Sequence, residues 1–146
     1  MSYSSNEASL GKNQASIPPE AVVDARKTEI EAFEKATQAL LDNKEQEITN
    51  KSYLDAIELN KLLWRTLETD LGSKENKLPD ALKAKLISVA MWVEKHSLLA
   101  EKGEARVDSL IEVNNSIIKG LSSRVLFSST ILIYEVISIF FSLNFS

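Results

Sequence analysis

The chain has 146 residues, 44% hydrophobic and 26% charged, which is enough for one domain with a core and too little for two ordinary ones. Its net charge of −4, with Lys and Arg spread singly, leaves no basic stripe to neutralise phosphates, so no direct nucleic-acid partner is expected. The absence of cysteine removes disulfides, thiolate nucleophiles and the commonest zinc sites, and the N-terminus shows no export signal, so a cytoplasmic protein is expected.

Residues 1–17 are rich in Ser, Asn, Gly and Gln with few apolar anchors, so they cannot offset the entropy of being ordered and read as a flexible arm. Pro18 and Pro19 close it. Pro19 suits the first turn of a helix, where its missing N–H is not needed and Glu20 and Asp24 complement the positive helix end. This first helix is predicted to run to about Asn43. It presents Val22, Ile30, Phe33, Leu40 and Leu41 with Ala25, Ala32, Ala36 and Ala39, a thin face of small residues.

The second helix has a cleaner seam, Tyr53, Ile57, Asn60, Trp64, Leu67 and Leu71, spaced alternately four and three apart as a bundle requires. Gly72 is expected to stop it in a left-handed conformation. Leu78 and Pro79 open the third helix, with Asp80 in its first turn and the seam Leu82, Leu86, Val89, Val93, His96 and Ala100. The run LISVAMWV within it is apolar nearly all round, which predicts burial on several sides and a central place in the fold. By itself that run would also suit a buried strand, but its flanking helix formers and its length favour helix. Gly103 ends this element. The fourth helix then carries Val107, Leu110, Asn114, Ile117 and Leu121 on one stripe, with Ile111 and Ile118 beside them, and Gly120 loosens or ends it. The expected fold is all-α: a compact bundle of about four helices over residues 18–121.

From 122 to 146 the composition changes abruptly to an apolar tail. Thirteen of its residues are Val, Leu, Ile or Phe, and Glu135 is its main interruption, with Arg124 near the start. At central positions those residues would supply roughly −4 to −8 kcal/mol toward membrane insertion, against roughly +2.5 to +3.5 for the acid and further losses at Ser, Thr and Asn. Three readings stay open. The tail is an aggregation-prone strand, an extension translated past the natural end of the domain, or a membrane anchor, and the first two are preferred because a true anchor shows cleaner apolarity and basic flanks.

The chemistry in the chain is thin. His96 is the single histidine and lies on an apolar stripe, where a structural or interface role outweighs a Ser, His, Asp relay. The acidic residues alternate with Lys as on solvated helix faces, and the four glycines sit apart, so neither a metal site nor a phosphate loop is formed. No enzyme and no cofactor are expected. Two groups of side chains carry the remaining interest. Asn60, His96 and Asn114 each interrupt a seam, and since buried polar groups must be paired, they are expected to meet one another, backbone or water and fix helix register. Trp92 and Leu99 share a face with Ser88 and Lys95 that the core does not need, so Met91, Trp92, Lys95 and Leu99 form the candidate partner-binding surface.

The order of these blocks resembles the FlaF family of flagellar biosynthesis regulators. The likeness rests on Asn60, Leu63 and Trp64; on Asn76, Leu78 and Pro79; on Trp92, Val93, Lys95 and His96; and on Leu110, Ile111, Val113, Asn114, Gly120 and Leu121. A weaker likeness lies at Arg26 and Glu29, and the tail after Leu121 has no counterpart. The resemblance implies a cytoplasmic, non-catalytic protein of α-proteobacterial type that promotes flagellin production and filament assembly. It implies flagellin as a partner, bound before export, and the FlbT regulator as a second. A membrane-tethered helical adaptor, held by the apolar tail, is the competing reading.

Overall fold

The computed structural model describes residues 19–76 and 78–124, with side chains from Lys27 to Ser122. Four helices follow one another: α1 Pro19–Asn43, α2 Lys51–Leu71, α3 Asp80–Glu101 and α4 Asp108–Arg124. The all-α expectation holds, and no strand occurs among the described residues. The arm at 1–17 and the tail beyond Arg124 lie outside the described residues.

Each helix begins and ends for a local reason. Asn50 caps α2, its side-chain oxygen accepting the Tyr53 N–H at 3.1 Å. Asn76 organises the turn before α3: its side-chain oxygen accepts the Leu78 N–H at 3.0 Å, and its amide donates to Asp70 at 2.9 Å. Pro79 then leads into α3 with Asp80 in the first turn. At the far end of α3, Gly103 has a φ of 77°. The Glu104 N–H reaches back to the Leu99 carbonyl at 2.8 Å and the Gly103 N–H to Ala100 at 3.1 Å, the paired bonds of a Schellman stop. Gly72 does not behave as the sequence suggested. Its φ of −79° and ψ of −8° are right-handed, and α2 ends with its N–H bonded to Glu68 at 3.1 Å.

Short connections make sequential helices antiparallel. The Tyr53 hydroxyl, at the start of α2, donates to the Ala100 carbonyl at the end of α3, 2.9 Å away. Lys44 and Glu45, just after α1, meet Asp108 and Arg106 at the start of α4, at 3.5 and 3.2 Å. Helix α2 packs against both α1 and α3, and α1 also packs against α4, whereas α3 and α4 touch only marginally. The centre is therefore α1 with α2. The apolar-all-round α3 is not central: Met91 and Leu98 remain exposed on its outer side.

The core runs through the seams read from the sequence. Phe33 and Leu40 of α1, Tyr53, Ile57, Trp64 and Leu71 of α2, Leu82, Leu86, Val89 and Val93 of α3, and Val107, Leu110, Ile117 and Leu121 of α4 are all buried. The Phe33 ring meets Trp64 edge to face, with centroids 5.6 Å apart. On α1 the pattern departs from expectation. Leu41 is exposed, and Thr37 is buried instead, returning its hydroxyl to the Phe33 carbonyl at 2.6 Å.

Candidate functional site

Two of the three polar seam residues meet. Asn60 and Asn114 are both fully buried, and the Asn114 amide donates to the Asn60 side-chain oxygen at 2.7 Å. The Asn114 oxygen in turn accepts the Trp64 indole N–H at 2.8 Å. Asn114 thus bridges two residues of α2 that lie one helical turn apart, which fixes the register of α4 against α2. One donor is left over, since the Asn60 side-chain nitrogen has no partner among the described residues.

His96 does not join this network. It is half-buried, its Nε2 lies 2.8 Å from the Arg106 carbonyl, and its ring stacks on Trp92 with centroids 4.7 Å apart. Because the partner is a carbonyl, Nε2 carries the proton and donates. His96 therefore ties α3 to the loop before α4. The buried polar group of α3 is its neighbour Ser97, fully enclosed, whose hydroxyl has no hydrogen-bond partner among the described residues.

The candidate partner surface separates into two parts. Trp92 is half-buried, packs against the core and stacks on His96, and Leu99 is also half-buried. Met91 is 61% exposed and Lys95 is exposed. Further apolar area is open to solvent at Leu98 on α3, 45% exposed, and at Leu62 on α2, 60% exposed, with Leu41, Ile48 and Leu59 less exposed elsewhere. Helical spacing in the sequence placed Met91 at the margin of this surface and missed Leu98, two turns further along the same helix, and Leu62, which lies on α2.

Ion pairs stitch α2 to α3. Arg65 grips Glu94 with two bonds of 2.9 and 2.7 Å, which holds the Glu94 carboxyl below the usual carboxylate range. Lys61 is buried between Glu58 at 3.1 Å and Glu101 at 3.3 Å. Burial acts to pull its ammonium down, but the two carboxylates together outweigh that and hold it above the usual lysine range. Every charge here has an opposite neighbour. Among the described residues no grouping of His, Asp and Glu is placed to hold a metal ion, and no helix is long and apolar enough to cross a membrane.

The family model described as flagellar protein FlaF matches residues 15–121. No match was found among curated proteins or among solved structures.

Proposed function

The chain belongs to the FlaF family and is thus a flagellar protein, and from that premise we propose that it is a non-catalytic regulator of flagellin synthesis and filament assembly. It acts by binding unassembled flagellin before export. The observation that carries this reading is the ridge of Leu62, Met91 and Leu98, three large apolar side chains left open beside a core whose own seams are filled. Flagellin ends are amphipathic helices that lack partners until the filament forms, and such a helix laid along an apolar face is a standard mode of peptide recognition. FlbT, the second partner that the family likeness implies, is expected to act with or against this complex.

The test is a calorimetric titration of the full chain with monomeric flagellin from a motile host. Binding at micromolar affinity or tighter is expected, without competition from assembled filament, whose terminal helices are already packed. Met91→Asp should weaken binding at least tenfold while leaving the melting temperature nearly unchanged. An absence of heat and of complex with every flagellin of the host would remove this mechanism.

A further inference from the structure

Each helix contributes a buried polar side chain to the middle of the bundle: Thr37 on α1, Asn60 on α2, Ser97 on α3 and Asn114 on α4. Cross-contacts place them near one level. The Phe33 ring meets Trp64, and because α1 and α2 are antiparallel, Thr37, one turn after Phe33, stands level with Asn60, one turn before Trp64. Arg65 and Lys61 of α2 reach Glu94 and Glu101 of α3, and Ser97 lies between those two acids, within about one turn of the level of Asn60. Asn114 is bonded to Asn60 directly.

The direction of the hydrogen bonds in this layer is set by the Trp64 indole, which can only donate. It takes the Asn114 oxygen, so Asn114 turns its nitrogen to Asn60, and Asn60 must answer with its oxygen. What remains is the Asn60 amide nitrogen, a donor that meets no acceptor among the described residues. Ser97 presents a second such group. Thr37, Thr66, Thr69, Ser88 and Ser122 each return the hydroxyl to the carbonyl four residues earlier, whereas the Ser97 hydroxyl makes no such bond to Val93. Both atoms are enclosed, and a buried polar group costs free energy until something bonds it. A donor on one helix and a hydroxyl on the helix packed against it have the chemistry of an internal water site, since water accepts from the first and bonds the second either way. Room for it follows from size, because Ser97 continues the buried line of Leu86, Val89 and Val93 with a far smaller side chain. We infer that a single water molecule is held between Asn60 and Ser97, accepting from the Asn60 Nδ2–H and bonded to the Ser97 Oγ. The Thr37 oxygen, whose own proton goes to Phe33, is the third group at this level able to accept from it. The network of Trp64, Asn114 and Asn60 then runs on through water into α3, so the register of a helix that barely touches α4 is set from the same layer. None of this depends on the flagellin reading, because the site is interior and needs no partner.

Two measurements on the full chain test the site. In the native protein, the Asn60 side-chain N–H protons and the Ser97 β protons should both show NMR cross-peaks to water, with the opposed NOE and ROE signs of a molecule that stays bound beyond nanoseconds. Oxygen-17 relaxation dispersion of the solvent, which counts long-lived internal waters and is blind to hydroxyl proton exchange, should lose the amplitude of a single water on Ser97→Val, whose larger side chain fills the site. The Asn60 cross-peak should vanish with it, while the Asn114 side-chain amide keeps its slow exchange. Absence of the water cross-peak at either Asn60 or Ser97 in the native chain overturns the inference, and this arm stands even if Ser97→Val fails to fold. A native cross-peak without any dispersion amplitude also overturns it, since the signal would then be relayed by a Ser97 hydroxyl bonded directly to Asn60. So does a folded Ser97→Val chain with undiminished amplitude, which would place the water away from Ser97.

Discussion

Between α2 and α4, polar side chains are buried and hold one another across the core, whereas along the outer face of α3 apolar side chains are exposed. Both arrangements go against the usual partition of residues, and they do so for opposite ends. A buried amide pair adds little net stability over an apolar pair of the same shape, but it penalises every register in which its groups go unpaired. An exposed leucine or methionine adds nothing to the fold. Substitutions at the first region should therefore move stability, and those at the second should move only what the surface contacts.

The largest effect is expected at Asn114. Asn114→Ala strands both the Trp64 indole N–H and the Asn60 oxygen in the buried core, and a loss of about 2–3 kcal/mol follows. Asn60→Ala strands only the Asn114 amide and also removes a nitrogen that has no partner among the described residues, so about 1 kcal/mol is expected. The two should be non-additive, because each removes the same hydrogen bond. Urea unfolding of both single variants and the double variant measures this. An Asn60→Ala cost equal to or above that of Asn114→Ala would show that Asn114 is not the bridge.

Next come the two glycines, which separate backbone demand from packing. Gly103 sits at a φ of 77°, where a Cβ would also meet the Ile48 side chain at 3.3 Å. Gly103→Ala should cost about 1–2 kcal/mol from the left-handed backbone alone. Adding Ile48→Ala should not recover it. Gly72 is right-handed and a Cβ there meets only carbonyl oxygens at 3.6 Å or more, so Gly72→Ala should be neutral or stabilise by about 0.4–1 kcal/mol. Thermal melts that place the two alanines on the same side of the native chain would refute the assignment of the stops.

How far the sequence reveals this structure can be judged on α3. The seam expected from alternate spacings of four and three ran through Val93, His96 and Ala100, while the buried line runs through Val93, Ser97 and Ala100. A strict alternation has a period of 3.5 and the helix one of 3.6, so the pattern drifts about 20° per heptad, enough to exchange two adjacent residues near the far end. Near the middle of their helices Asn60 and Asn114 escaped this drift, and their burial was legible. What no periodicity states is which seams face each other: that Asn114 meets Asn60 and Trp64 across the core, or that Lys61 reaches Glu101, follows only from the assembled bundle. The exposed ridge was half legible for the same reason, with Met91 visible from its own helix and Leu62 visible only once α2 and α3 lie side by side.

The smallest effect belongs to the border between the two regions, where Arg65 and Glu94 join α2 to α3. The hydrogen bonds from Arg65 are the main cause of the lowered Glu94 pKa, with the guanidinium charge adding to them and partial burial opposing. A carboxylate whose pKa is lower in the folded state contributes stability above its unfolded value and loses it as the pH falls through the folded one. Glu94→Gln should therefore lower the urea midpoint slightly at neutral pH, by less than Gly103→Ala does, because both partners are partly exposed and solvent screens them. The gap should shrink in 1 M salt and close as the pH falls below the ordinary carboxylate range, where the native chain is protonated at the same site. Ridge binding at neutral pH should be unaffected, since the pair lies beside the apolar side chains and not among them. A gap that persisted unchanged at low pH would mean that Glu94 acts through packing of its stem across the crossing, and the charge would then have no part in holding α3 to α2.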